Sequence, residues 1–445
     1  MPITQKDRVL MFRADELPLL PSEYPKAYEQ SLQWGTCSAR DILSYKIMEN
    51  DRVHYASRYR WLVLAICLFA FVAYAFAFQS APPLIGSVKA EFGILSDAEA
   101  ALMMSIVLLP GIFLSLPAGF LVQKYGARLV GALFLVCVFS GSLVTALAGS
   151  FVVLLVGRFL LGVGGAFVLT ATPVVVAEWF PEKDLGKAMG IFGINMPLAT
   201  VIALPTASVL QQMFGWRSPF YLSLIVGIAA AVVYSVGVRE GPFSARRVKG
   251  ETRMAVLNWE MWKVGLVWLF FNAAVLSFIA WAPTLFQKYQ NIPGVQASLL
   301  TSLLMWSTIF LVPLFGYLSD WTRKRKPFVV TGFVLMTLAF MLIAFTHDGT
   351  LFASILLLGI SAAMIPPIVS AFPVQILGPK LAGVGFGITG TCLNIGAALS
   401  NPAVGLVRDL TQSYTYSMLA MALFSTVGVV MAYALKYNHS HVGAG

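Results

Sequence analysis

The chain has 445 residues, of which 58% are hydrophobic and 11% are charged, and its formal net charge is +10. An ordinary soluble domain carries about 25% charged residues, and a water-soluble fold has too little interior to bury so much apolar surface. Composition therefore excludes a water-soluble globular protein and indicates an integral membrane protein.

The apolar stretches are about 18 to 25 residues long, the length at which a helix crosses a hydrocarbon core of about 30 Å. Twelve such stretches predict an all-α membrane protein with twelve transmembrane helices. They run approximately over Trp61–Phe78, Ala98–Val122, Leu129–Leu147, Phe151–Ala177, Lys187–Leu210, Pro219–Val238, Met261–Ala280, Val295–Leu318, Phe328–Phe345, Leu351–Leu377, Leu381–Val407 and Tyr414–Leu435.

A constant offset of 197 residues relates the two halves of the chain. Gly119, Gly162, Gly186, Gly190, Gly193 and Pro205 recur without a gap as Gly316, Gly359, Gly383, Gly387, Gly390 and Pro402. Parallel repeats of this kind place a substrate path at their interface. We therefore expect two pseudo-symmetric six-helix bundles over 59–238 and 261–436, a tail over 1–58, a central loop over 239–260 and a short tail over 437–445.

The basic residues predict the orientation, because Lys and Arg are retained on the cytoplasmic side of a membrane. With both termini in the cytoplasm, 25 of the 30 Lys and Arg side chains lie inside, and Lys89, Arg217, Lys288 and Arg408 lie outside. These charges are dispersed among short loops, which argues for anionic lipid and against nucleic acid as their partner.

The expected location is the plasma membrane. An acidic dileucine pattern, Asp15-Glu16-Leu17-Pro18-Leu19-Leu20, leaves an endosomal or lysosomal membrane as the alternative if the source is eukaryotic. The four cysteines have no pairing or metal-ligand spacing, so we expect no metal and no cofactor.

Two loops carry similar patterns. The segment from Gly119 continues Phe-Leu-Val-Gln-Lys-Tyr-Gly-Ala-Arg, and the segment from Gly316 continues Tyr-Leu-Ser-Asp-Trp-Thr-Arg-Lys-Arg. Both resemble the loop signature of the major facilitator superfamily, and Arg158-Phe-Leu-Leu-Gly162-Val-Gly164 in the fourth stretch is similar to that family's Arg-x-x-x-Gly-x-Gly pattern. The resemblance covers residues 59–436 and implies a transporter rather than an enzyme, with two halves that rock about a central site.

The resemblance also implies a gating role for the loop residues. A glycine lets two helices approach closely, and a carboxylate four residues later can face the positive N-terminus of a helix in the other half. The first copy departs from the pattern, because Gln123 replaces the carboxylate, so its contact should be the weaker one. The predicted gating residues are Gly119, Gln123, Lys124, Gly126, Arg128, Gly316, Asp320 and Arg323, with Glu178 at the cytoplasmic end of the fourth stretch.

Arg158 is the one charged residue well inside a predicted span. Its cost at the membrane centre is at least about 2.5 to 3.5 kcal/mol, so it requires a protein interior or a wet cavity and a partner. Two interpretations stay open. Arg158 binds the anionic part of a substrate or gates a coupled ion, or it holds helices together by donating to backbone carbonyls or polar side chains.

No Asp, Glu or His lies in the middle of a predicted span, so a buried proton-binding group is missing and Glu178 is the only fallback. Further substrate-binding candidates are polar or aromatic residues within the spans: Tyr74, Gln79, Asn195, Trp268, Asn272, Ser361 and Asn394.

The sequence therefore predicts a monomeric secondary transporter of a small solute, and the single arginine without opposing carboxylates favours an organic or inorganic anion. Two alternatives remain open. One is an exporter of amphipathic compounds, and the other is a non-transporting protein of the same fold that acts as a sensor or assembly partner.

Overall fold

The computed structural model describes residues 39–180, 182–239, 241, 258–288, 290–322, 325–345, 349–377 and 382–435. Twelve long helical segments follow one another and are named α1 to α12. Their bounds are α1 Ala39–Gln79, α2 Asp97–Ser105 and Leu109–Tyr125, α3 Ala127–Ala146, α4 Phe151–Trp179, α5 Glu182–Phe192 and Asn195–Phe214, α6 Ser218–Gly237, α7 Trp259–Lys288, α8 Gly294–Thr322, α9 Arg325–Phe345, α10 Gly349–Ala363 with the short turns Pro366–Val369 and Phe372–Leu377, α11 Ala382–Thr411 and α12 Tyr414–Ala434.

Eleven helices in the described ranges are long and apolar enough to cross a membrane, six in the first half and five in the second. The twelfth is α11, which has 30 residues and therefore the necessary length. It is more polar than the others because its sequence contains Thr389, Thr391, Asn394, Ser400 and Asn401. The protein is an all-α membrane protein with twelve transmembrane helices in two six-helix halves, as the sequence predicts.

The chain divides into a first unit that ends at Leu62 and a second unit from Val63 onward. The described part of the first unit is the beginning of α1, where the Arg60 guanidinium lies 5.7 Å from the centre of the Trp61 ring. Of the predicted tails and central loop, residues 1–38, 242–257 and 436–445 lie outside the described residues.

The repeat of the sequence reappears as a repeat of contacts. A Cβ atom on Gly162 of α4 would lie 2.7 Å from the Val107 carbonyl carbon, and one on Gly359 of α10 would lie 3.3 Å from the Leu304 carbonyl oxygen. Adding 197 to the first pair gives the second pair. Thus α4 touches α2, and α10 touches α8, at the same place in each half.

Prolines decide where the helices of the first half are interrupted. Pro82 and Pro83 follow α1 and form a single 3-10 turn, after which Ile85–Phe92 is a separate short helix. Pro110 is the second residue of the second part of α2, directly after the break at 106–108. A proline cannot donate the hydrogen bond that a continuous helix needs, and its ring collides with the carbonyl four residues earlier.

The distribution of buried side chains separates core helices from outer helices. In α7 every residue from Phe271 to Phe286 is buried. In contrast, α3, α6, α9 and α12 expose large apolar side chains on one face, including Leu129, Leu133, Val136, Ile225, Val232, Val236, Leu338, Met341, Leu423 and Val430. Exposed apolar faces of this size are expected where a protein meets lipid.

Candidate functional site

Arg158 lies on α4 and is fully buried. Its Nε donates to the Met103 carbonyl at 2.9 Å, Nη1 donates to the Ala77 carbonyl at 2.8 Å, and Nη2 donates to the Phe78 carbonyl at 3.1 Å. All three nitrogens of the guanidinium therefore bind backbone oxygens in this conformation. Its central carbon also lies 5.9 Å from the centre of the Phe220 ring.

These carbonyls lie at two helix ends, and Pro82 leaves one of them without a donor, because a continuous α1 would use the nitrogen of residue 82 to bond Phe78. The last four carbonyls of a helix have no donor within that helix. Ala77 and Phe78 lie in the last turn of α1, and Met103 lies in the last turn of the first part of α2. One side chain therefore satisfies acceptors at two helix ends, which corresponds to the helix-joining interpretation of Arg158.

Two other predicted residues lie near Arg158 within the first half. The Tyr74 ring packs directly on the backbone of Gly165 in α4, where a Cβ atom would lie 2.6 Å from the Tyr74 hydroxyl oxygen. Gln79 is buried, and its Nε2 donates to Oγ1 of Thr200 in α5 at 3.0 Å. Together these contacts bind the end of α1 to α4 and α5.

The remaining candidates bond mainly within their own helices. Asn195 Oδ1 accepts from the Met196 N–H at the start of the second part of α5. Asn272 Nδ2 donates to the Trp268 carbonyl at 2.8 Å, and the Trp268 ring stacks on Phe271 at 5.0 Å. Ser361 is fully buried in α10 and donates to the Leu358 carbonyl. No hydrogen bond among the described residues was found to join these side chains to Arg158.

Asn394 is the candidate that lies between the two halves. Its amide covers Gly111 of α2, where a Cβ atom would lie only 2.6 Å from Asn394 Oδ1. Asn394 Nδ2 also donates to the Gly390 carbonyl at 2.9 Å within α11. The side-chain amide of Asn394 therefore packs against the backbone of α2 at Gly111.

Hydrogen bonds join the halves at the end of the bundle where α2 and α8 begin, which we call the Asp97 end. There the Asp409 carboxylate of α11 accepts from Ser96, Asp97 and Ala98 at the start of α2. The Oγ atoms of Ser208 in α5 and Ser298 in α8 lie 2.6 Å apart. A cavity of about 230 Å³ is lined by residues of both halves: Pro83, Gly86, Ser87, Gln211, Thr284, Gln287 and Lys288.

The opposite end, which we call the Gly126 end, contains the loop pattern. Gly126 has a φ of +86° and forms the turn between α2 and α3. The Arg128 guanidinium donates to the Ser235 carbonyl, and Lys326 Nζ donates to the Tyr433 carbonyl, and each pair is 107 residues apart. These basic groups therefore donate hydrogen bonds to carbonyls in the last turns of α6 and α12 within their own halves.

The predicted gating residues lie at or near the Gly126 end. The described backbone is helical at Gly119, Gln123 and Asp320, and Arg323 lies outside the described residues. Lys124 is exposed, with its Nζ 4.9 Å from the centre of the Tyr125 ring. A Cβ atom on Gly316 would lie 3.4 Å from Pro367 of α10. Glu178 is half-buried near the end of α4.

A family model described as the Major Facilitator Superfamily matches residues 66–401, three quarters of the chain. The chain belongs to the major facilitator superfamily. This assignment confirms the resemblance that the loop and α4 patterns carry. The protein is therefore a multi-pass membrane transporter of small solutes, a secondary transporter and not an enzyme.

Relatives within the superfamily are distant. The chain is 22% identical to the inner membrane transport protein RhmT of Escherichia coli, over 80% of this chain and 90% of that protein. It is 25% identical to the nitrite extrusion protein of Bacillus subtilis, over 78% of this chain and 88% of that protein. A bacterial homologue of the human lysosomal transporter Spinster matches with a TM-score of 0.71 and 17% identity, over 85% of this chain and 97% of that chain, and this shows a common fold.

Two features of this superfamily member were missed from the sequence. Asp97 and Asp409 lie just outside the predicted spans and are not among the predicted site residues, although the Asp409 carboxylate accepts from the Asp97 N–H across the halves. Gly111 and Gly405 are not among the predicted residues either. Each of these glycines lies where its helix meets the other helix of the pair α2 and α11. They could be recognised from the sequence only if that pairing were already known.

Proposed function

We propose that this protein moves a small organic or inorganic anion across its membrane by alternating access, with the two six-helix halves rocking about a midplane site. The observation that supports an anionic substrate is the charge of the protein interior. Among the described residues the buried charged side chains are Arg158 and Asp97, and Asp97 lies at the end of a helix, beside Lys89 and Arg408.

The interior of the first half therefore keeps a net positive charge. Backbone carbonyls lower the energy of the Arg158 guanidinium, but they are dipoles and do not cancel its charge. In a medium of low dielectric constant such a charge acts over several ångströms and favours an anion in the adjacent path. Arg158 thus supports anion binding through its field in this conformation, while its hydrogen bonds hold α1 and α2. The nitrite named in the Bacillus relative belongs to the same class of solute.

We propose that Asn394 and Asn272 offer amide donors to the anion once the helices rearrange, with Tyr74, Gln79, Asn195, Trp268 and Ser361 shaping the path. For orientation we propose that the Asp97 end faces outward and both termini face the cytoplasm, since Lys and Arg are concentrated at the Gly126 end. We also propose that the loop residues Gln123 and Asp320 are gating residues at the Gly126 end.

The test is uptake by purified protein in liposomes. The panel contains nitrite, cyanate, small monocarboxylates and dicarboxylates, with dipeptides and amphipathic cations as competitors from other classes. We expect saturable uptake or exchange of at least one anion. Uptake restricted to cations or amphipathic compounds would overturn the proposal and favour the exporter, and uptake of nothing in the panel by folded protein would favour a sensor.

A further inference from the structure

The Asp409 carboxylate of α11 binds the N-terminus of α2, a helix of the other half. Oδ2 accepts from Ser96 Oγ at 2.7 Å and from the Ala98 N–H at 3.0 Å, and Oδ1 accepts from the Asp97 N–H at 2.8 Å. The first N–H groups of a helix have no acceptor within it, and the helix dipole adds positive charge there. A carboxylate from the opposite half is therefore well matched to this position.

The backbone of the two helices is in direct contact beside this carboxylate. Gly405 lies one turn before Asp409, and a Cβ atom there would lie 2.8 Å from the Ala98 nitrogen and the Asp97 carbonyl. Only a glycine fits so close to another backbone. The absence of a side chain at Gly405 is what brings Asp409 within hydrogen-bond distance of α2.

Basic residues balance the two carboxylates at this contact. Asp97 is buried and pairs with Lys89 of the first half, and Arg408 Nε of the second half lies 3.4 Å from Asp97 Oδ2. The cluster of Asp97, Asp409, Lys89 and Arg408 is neutral in sum. Charge pairs and the helix cap therefore both connect α2 to α11.

The repeat supplies an uncharged counterpart of the same contact. Subtracting 197 from Asp409 gives Gln212 of α5, and adding 197 to Asp97 gives Gly294, the first residue of α8. A Cβ atom on Gly294 would lie 3.5 Å from Gln212 Nε2. The start of α8 therefore lies near the uncharged amides of Gln212 and Gln287, where the start of α2 has the Asp409 carboxylate.

We propose that Asp409 is a gating residue, and that its contact with the N-terminus of α2 holds the Asp97 end of the transporter closed. The inference rests on the proposed alternating access, in which α2 and α11 must separate at this end to open the path. Separating α2 from α11 would break the three hydrogen bonds that Asp409 accepts, whereas the bonds within each helix would remain. Asp409 therefore biases the conformational equilibrium toward the state closed at the Asp97 end.

The experiment measures the labelling rate of a reporter cysteine by a charged maleimide, in nanodiscs and without substrate. The background replaces Cys37, Cys67, Cys137 and Cys392, and the reporter is Ala101→Cys. Ala101 lies one turn after Ala98 in α2 and is 1% exposed. Because the reagent reaches this position when the halves separate, the labelling rate follows the population of the open state.

We expect Asp409→Ala to raise the labelling rate about two- to thirty-fold, the range for losing a helix cap. The isosteric Asp409→Asn removes the charge and keeps one acceptor, and it should raise the rate about two- to five-fold. Gln412→Ala is the matched control, since Gln412 directly follows α11 and, among the described residues, its side chain bonds only Arg408 and the Asp409 carbonyl of the same half. It should leave the rate unchanged.

A second reporter separates gating from general loosening. Ala146→Cys lies buried at the end of α3, at the Asp97 end but inside the first half. A rise at Ala146→Cys equal to that at Ala101→Cys would mean that Asp409 stabilises the fold without gating, and an unchanged rate at Ala101→Cys in folded Asp409→Asn would also overturn the inference. If Asp409→Ala does not fold, Asp409→Asn decides. A shifted labelling rate without anion uptake would sustain the gate and overturn the proposed anion, whereas anion uptake with unshifted labelling would do the reverse.

Discussion

The two halves repeat one plan, yet they treat equivalent helix positions differently. In the first half Pro82 and Pro83 end α1, and Pro110 interrupts α2. Their counterparts at +197 are Ile279, Ala280 and Ser307, and both α7 and α8 continue through these positions. The relation is reversed for the fourth helix of each half, where α4 is continuous and α10 breaks near Pro366.

The difference explains why a charged residue is buried in one half alone among the described residues. The counterpart of Arg158 is Ile355, which is also fully buried. Helices α7 and α8 satisfy their own carbonyls at that depth, so an apolar side chain suffices. Where α1 and α2 are interrupted, unpaired carbonyls remain, and an apolar residue would leave them without donors. Arg158 is the side chain that this backbone requires.

Arg158→Ile is the variant with the largest expected effect, because it places the residue of the second half, Ile355, in the interrupted backbone of the first half. We expect a loss of stability of about 3 kcal/mol or more, since each unsatisfied buried polar group costs about 1 to 3 kcal/mol. Thermal unfolding of the purified protein in detergent measures this loss. Ile355→Val is the matched control and should cost about 0.5 to 1.5 kcal/mol.

Arg158→Lys separates the hydrogen bonds from the charge. It keeps the charge but replaces a planar fork by a point charge, so it should restore only part of the stability. If Arg158→Ile is folded and unfolds at the normal temperature, the carbonyls do not need Arg158, and the substrate-binding interpretation of this residue gains support.

The close approach of α4 to α2 offers a second way to test the comparison. Gly162→Ala places a methyl group against the Val107 backbone, whereas Gly359→Ala places one against the Ser307 side chain at 2.6 Å. Overpacking costs about 1 to 3 kcal/mol, and a backbone yields less than a side chain. Gly162→Ala should therefore lower the unfolding temperature more than Gly359→Ala. The reverse order would show that the first half is the more deformable one.

The sequence predicted the number of helices, the repeat and the family, because hydropathy and glycine spacing depend on single positions. Backbone carbonyls, which Arg158 contacts in the structure, are among the partners that one of its two interpretations names. The sequence did not predict that the ends of α1 and of the first part of α2 supply those acceptors, because this requires knowing where the two helices are interrupted. The contacts of Asp409 with α2 and of Asn394 with Gly111 join residues about 280 to 310 positions apart, so they depend on how the halves pair.

Gln212→Asp would make the two inter-half contacts at the Asp97 end alike. A carboxylate near the start of α8 should stabilise the closed state by about 0.3 to 1 kcal/mol, the usual contribution of a charge at a helix terminus. The labelling rate of a cysteine at Ala101 measures this as a decrease of about two- to five-fold. Gln211→Asp is the control, because Gln211 donates to Ser87 within the first half. An equal decrease in both variants would point to a general effect of negative charge.

The smallest expected effect concerns protons. At the interrupted helices of the first half, the polar groups are the Arg158 guanidinium and amide and hydroxyl groups such as those of Gln79 and Thr200. Neither half buries a mid-span carboxylate or histidine in its described residues. No group of this kind is available to titrate between about pH 5 and 8. An imposed pH gradient at zero membrane potential should therefore not concentrate an anion that stays fully ionised over that range, while exchange of labelled for unlabelled anion should proceed normally.

Glu178→Gln is the decisive variant, because Glu178 is half-buried near the end of α4 and is the fallback proton-binding group of the sequence. Accumulation driven by the gradient in the native protein and lost in Glu178→Gln would contradict the prediction and assign proton coupling to the end of α4.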